Sequence, residues 1–138
     1  MSTILEEHPV GVRLKISALW ISMLFLFAYG DIFGFFKPGR IQEVMTGEIS
    51  GIAITELFLF AVSVYVAIAS VMIFLSLVLR PNIARWANIV LPILYIASIV
   101  GSAFGESAYH WFLSAVETAL LLLVIRFAWT WPAQELRS

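Results

Sequence analysis

The sequence predicts an all-α fold: an integral membrane four-helix bundle with a short amphipathic outer helix between helices 1 and 2. Three observations predict it. The 138 residues are 62 % hydrophobic, against about half in soluble domains, and the mean hydropathy is +0.98. The apolar residues gather into four runs, each close to the roughly 20 residues that a helix needs to cross a bilayer. Charged residues make up only 12 % of the chain and fall mostly between those runs. The length leaves room for one membrane domain, residues 1–138, with the lipid bilayer as its first partner.

The first span, residues 16–36, carries one charge, Asp31. The second, residues 52–79, carries Glu56, and the third, residues 86–104, carries none. The fourth, residues 109–131, holds "ALLLLVI" between Glu117 and Arg126. The stretch "ISALWISMLFLFA" imitates the core of a cleaved signal peptide. Its apolar run continues through "IFGFF", however, and Glu6 and Glu7 precede Arg13, so it is read as a retained span. Between the first two spans lies "KPGRIQEVMTGEISG", residues 37–51. Pro38 suits a first helical turn, and Ile41, Val44 and Met45 share a helical face. A short surface helix and a Gly-bounded turn are expected, with an irregular loop as the alternative.

Orientation follows from Lys and Arg in the short flanks. Arg13, Lys15, Arg80, Arg85, Arg126 and Arg137 fall on one side, and only Lys37 and Arg40 on the other. Both termini are therefore expected in the cytoplasm. Trp20, Trp86, Trp129 and Trp131 would lie near the inner interface and Trp111 near the outer one.

Composition also excludes classes of function. The net charge is -1 and the basic residues are scattered, which is unlike a nucleic-acid surface. With no Cys, thiolate metal sites and dithiol redox chemistry are ruled out. There is no Walker loop, dinucleotide Gly pattern, nucleophile elbow or zinc signature. The Glu-x-x-His pairs of di-metal bundles are missing, and His8 lies on the opposite side from His110. No metal and no cofactor are expected.

The informative residues are the acids inside the spans. At 1.5 Å per residue, Asp31 lies roughly 9 Å below Lys37, Glu56 about 6 Å into its span, and Glu117 about 12 Å below Tyr109. Three helices thus bring carboxylates into the outer half of the membrane, with no Lys or Arg at that depth. Glu117 and Arg126 are nine residues apart, on opposite faces. Polar or small stripes mark each helix: Glu56, Ser63, Ala67 and Ser70; Asn88, Tyr95, Ser98 and Ser102; His110, Ser114 and Glu117. Such stripes are expected to face the bundle interior, as are Gly30–Gly34 and Ala97–Gly101–Gly105. Pro92 removes the hydrogen bond to the Asn88 carbonyl and is expected to kink its helix.

The motifs "KISALW", "YGDIFGFFKPG", "MIFLSLVLRPNIARWANI" and "AWTWP" together resemble an uncharacterised family of small bacterial four-helix membrane proteins, a domain of unknown function. Gly30, Asp31, Gly34, Pro38 and Gly39 fall on that pattern, as do Trp86 and Asn88. The resemblance implies four spans and a bacterial cytoplasmic membrane, and transfers no activity. More loosely, the layout is similar to DoxX-like membrane proteins, some of which accompany quinone-linked oxidoreductases.

The functional expectation is an outward-facing acidic and aromatic pocket whose site residues are Asp31, Glu56, Tyr95, His110, Ser114 and Glu117. An ionisable residue inside a membrane is a functional candidate by default. Such a pocket is chemically able to bind or transport a small or lipid-like ligand, with or without a proton. The plainer alternative is that Asp31 and Glu56 reach up to water, Lys37 or Arg40, while Glu117 is a structural hydrogen-bond donor. Two further readings stay open. One is an accessory subunit of a larger membrane complex or a homo-oligomer, in which the stripes serve packing. The other is a membrane enzyme using Glu117 and His110 as acid and base, although no nucleophile accompanies them.

Overall fold

The computed structural model describes residues 3–133. Seven elements follow in order: α1 (Val12–Gly34), α2 (Arg40–Met45), β1 (Glu48–Ile49), β2 (Ile52–Ala53), α3 (Glu56–Val78), α4 (Pro81–Ala103) and α5 (Ala108–Trp129). The four long helices are each long and apolar enough to cross a membrane. The protein is a multi-pass membrane four-helix bundle. Arg137, one of the residues counted for orientation, lies outside the described residues.

Each boundary has a local cause. Thr55 stops the chain short of the expected helix start at residue 52, because its side chain accepts from the Phe58 amide at 3.1 Å and caps α3. Ile52 and Ala53 instead pair with Ile49 and Glu48. Ser50 and Gly51, with φ of 51° and 80°, form the two-residue turn, in which both central residues need positive φ. At the other end, α4 begins five residues before the expected start because Pro81 occupies its first turn, where the missing N–H costs nothing. Pro38 lies outside α2, whose N-cap is Gly39 in the left-handed region at φ 85°.

The helices do not pack evenly. α1 lies against both α3 and α5, and α5 lies against α4, whereas α3 and α4 meet only sparsely. The bundle is a ring with one thin seam.

Near the end that carries the termini, a buried amide joins three helices. Asn88 Oδ1 accepts from the Trp20 indole Nε1 at 2.7 Å, and Asn88 Nδ2 donates to Ser76 Oγ at 3.2 Å and to the Ala84 carbonyl at 2.8 Å. Trp20 is fully buried. The expectation that it joins an interfacial belt is corrected: its N–H finds a partner in the core, so its ring does too. Two arginines complete this end. Arg13 donates to the Ser76 carbonyl at 3.2 Å, and Arg85 to the Ala128 and Trp129 carbonyls at 3.0 Å each. These carbonyls belong to the last turns of α3 and α5, which lack helical partners and favour a cation.

Two predicted packing surfaces are also corrected. Glu56, Ser63, Ala67 and Ser70 are all exposed, and α3 instead turns Tyr65, Ala69, Met72 and Ser76 inward. The Ser63 and Ser70 hydroxyls donate to the Leu59 and Val66 carbonyls of their own helix, so they need no neighbour. On α4, a Cβ at Gly101 would meet nothing within 4 Å, and Gly105 lies beyond the helix, in the turn towards α5, at φ 81°.

Asn88→Leu leaves the Trp20 indole N–H without a partner, and a loss of about 1–3 kcal/mol is expected in detergent unfolding titrations. Asn88→Leu combined with Trp20→Phe is expected to lose less than the sum of the two single changes. Strict additivity would mean that the pair is not coupled.

Candidate functional site

Above the Asn88 layer, towards the end formed by α2 and the hairpin, the four helices separate around a cavity of about 320 Å³. That volume lies at the lower end of the range for small-molecule pockets. α1 lines it with Phe27, Gly30 and Asp31, and α3 with Val62, Tyr65 and Val66. α4 contributes Ser98, Ile99 and Ser102, and α5 contributes His110, Leu113, Ser114 and Glu117.

Of the six predicted site residues, Asp31, His110, Ser114 and Glu117 meet in this cavity. On α5 the spacing of four, then three residues puts the last three on one face. Glu117 is the most deeply placed ionisable group of the site, at 6 % exposure. It lies about 14 Å along α5 from Ala108. Asp31 lines the same cavity as His110 and Glu117, and is itself exposed at the rim. Among the described residues, no side-chain hydrogen bond or ion pair engages Asp31, His110 or Glu117 (the nearby cations are committed elsewhere). Lys37 pairs with Glu106 at 3.6 Å, and Arg40 with Glu43 at 3.2 Å. Arg40 also donates to Ser50 Oγ at 3.1 Å, which ties α2 to the hairpin tip.

Glu56 is not brought to the cavity. It is exposed in the first turn of α3, where the helix dipole favours an acid. Tyr65, which does line the cavity, is nine residues later, about half a turn around the helix from Glu56. Tyr95 is 4 % exposed and sits beneath the cavity rather than in its wall. Its hydroxyl donates to the Tyr65 carbonyl. The Tyr65 and Ser98 hydroxyl oxygens lie 2.6 Å apart, and Ser98 Oγ donates to the Tyr95 carbonyl at 2.8 Å, so Tyr65 is the donor of the first bond. These bonds form a floor and bridge the α3–α4 seam.

The sequence reading missed Phe27 and Tyr65 as site residues. Their rings stack with centroids 6.0 Å apart and form an aromatic wall. Phe27 stands four residues before Asp31, one turn away on the same face, which was a usable signal. No such signal marks Tyr65, because the polar period of α3 follows Ser63 and Ser70, which lie on its exposed face. Gly30 and Gly34 behave as expected: a Cβ at these positions would meet Leu113 Cδ1 at 3.4 Å and the Tyr109 hydroxyl at 3.8 Å, both on α5. Among the described residues, no group of three or more His, Cys, Asp or Glu is placed to hold a metal ion.

Four membrane-crossing helices around an acidic cavity with an aromatic wall define the class: a small multi-pass membrane protein. More particularly, the chain belongs to a family of unknown function, DUF6326, whose model matches residues 3–138. No curated protein and no solved structure matches the chain. The comparisons therefore carry the likeness to an uncharacterised family and do not carry the looser one to DoxX-like proteins.

Gly30→Ala adds a methyl at ordinary contact distance from Leu113, and a thermal stability within about 1 kcal/mol of the parent is expected. Gly30→Leu overfills the α1–α5 contact and is expected to lose about 1–3 kcal/mol in the same melting experiment.

Proposed function

We propose that this protein binds or transports a small or lipid-like ligand in the cavity between its four helices. The observation that carries the reading is Glu117, nine-tenths buried and facing the cavity without a partner among the described residues. An acid held in a membrane interior without a counter-charge is costly to a fold that has no use for it. Asp31, His110 and Ser114 converge on the same space and supply further polar contacts. Asp31, His110 and Glu117 all exchange protons, so a proton moving with the ligand belongs to this reading.

The reading places the chain in the bacterial cytoplasmic membrane with both termini in the cytoplasm and the cavity towards the outside. Six Lys and Arg residues at the terminal side against two at the hairpin side support that orientation. The absence of native Cys makes it testable without background. In intact cells, Glu48→Cys is expected to react with a membrane-impermeant maleimide, and Asn82→Cys only after permeabilisation. The reverse pattern would invert the orientation.

A second reading, an accessory subunit of a larger membrane complex, is favoured by the exposed small surface of α4 around Ala97 and Gly101. One purification separates the two. Extracted in mild detergent, the parent protein is expected to retain a small molecule detectable by mass spectrometry. Glu117→Gln and Asp31→Asn are expected to melt near the parent temperature and retain less of it. A stoichiometric protein partner and no difference in small-molecule content would favour the accessory role.

A further inference from the structure

The cavity also carries information on the charge of its ligand and on its route of access, and both rest on the reading of this space as a binding site. Apart from His110, the ionisable groups that line it are acids. Two carboxyl groups facing one small space repel each other when both are ionised, and a cation placed between them removes that repulsion. An ammonium group does so while donating charge-assisted hydrogen bonds to both. When neutral, His110 offers one more acceptor. The stacked rings of Phe27 and Tyr65 present the π-faces to which cations are attracted.

The wall is thinnest where α3 and α4 barely touch. Val62 and Val66 line the cavity, yet are 44 % and 40 % exposed on the outside of the bundle. Across the seam, Ser98 and Ser102 also line the cavity and are exposed. Their hydroxyls donate to the Tyr95 and Ile99 carbonyls of their own helix, so the seam makes no unmet polar demand on an alkyl chain. The thinnest part of the cavity wall thus faces sideways between α3 and α4, beside the Tyr65–Ser98 bond, at a depth where hydrocarbon surrounds the helices.

We infer that the ligand is a lipophilic ammonium ion, a primary or secondary alkylamine, whose head lies between Glu117 and Asp31 and whose chain passes through the α3–α4 seam. It is loaded from the lipid through that seam.

Octylamine, octanol and octanoate share a chain length and differ in the charge of the head, so they test the assignment on the intact parent protein. The measurement is retention of isotope-labelled probe by protein in phosphatidylcholine vesicles at neutral pH, where an alkylamine is cationic, corrected for protein-free vesicles. Octylamine is expected to bind about tenfold or more tightly than octanol, the ratio that one or two charge-assisted bonds provide. Octanoate is expected to stay at the protein-free level. Glu117→Gln is expected to lose the preference for the amine while still holding octanol. Val62→Trp narrows the seam and is expected to slow octylamine loading without altering the preference. Octanol or octanoate held as well as octylamine would overturn the cation assignment and leave the binding cavity standing. Unchanged loading in Val62→Trp would overturn the lateral route. Retention of none of the three probes would count against the cavity as a binding site, and the cation assignment would fall with it.

Discussion

The rest of the structure hangs on a buried amide. Asn88 takes the Trp20 indole N–H from α1 and bonds Ser76 on α3 and the Ala84 carbonyl on its own helix, so one side chain joins three of the four spans. Lipid provides no hydrophobic drive to bring helices together, so packing and interhelical hydrogen bonds must do it. This matters most between α3 and α4, whose direct packing is slight. There the Ser76–Asn88 and Tyr65–Ser98 bonds, and that from Tyr95 to the Tyr65 carbonyl, span the seam. Trp20 meets the Tyr95 ring edge-on at 5.6 Å between centroids, which links the lower bonds to the upper ones.

That arrangement makes the bundle unequal along its length. At the terminal end, Arg13 and Arg85 satisfy carbonyls that α3 and α5 cannot satisfy themselves. Their guanidinium groups also lie over the rings of Trp131 and Trp129, at 5.3 Å and 5.7 Å from the ring centres. At the opposite end, Lys37 and Glu106 link two loops over a space that the helices leave open. The positive residues used to orient the chain therefore have a structural task as well. The two roles agree, since the carbonyl ends of α3 and α5 both lie on the side rich in Arg and Lys.

The fold was legible because its signal is long: four apolar runs at bilayer length, separated by charge and Pro. The site was legible only in part, and the failures share one cause. Period and depth place a residue at a height and an angle on its own helix, but they do not say which angle faces the other helices. On α5 the three polar residues share the inward face, and His110, Ser114 and Glu117 all line the cavity. On α3 the serines looked like an inner stripe, yet their hydroxyls are satisfied within the helix and the face they mark is exposed. Glu56 went with that stripe. Depth alone grouped it with Asp31 and Glu117, and the angle separates it from them. Trp20 failed for a related reason: an aromatic residue near a span end can serve the interface or the core, and its partner Asn88 lies sixty-eight residues away in the sequence.

The contrast between Asn88 and Glu117 gives the cavity its significance. Both are polar, both are buried, and both stand on helices that cross a membrane. Asn88 has its carbonyl and amide occupied, and the fold gains cohesion from it. Glu117 has neither an ion pair nor a side-chain hydrogen bond among the described residues, although an acid at the centre of a span is disfavoured by roughly 2.5–3.5 kcal/mol on insertion scales. The same chain satisfies Trp20, Tyr95, Tyr65 and Ser98 within a few turns of it, so the means to satisfy one more group were at hand. Glu117 instead turns its carboxyl to the accessible space of a cavity that Asp31 and His110 also line, so its partner is not another side chain of the bundle.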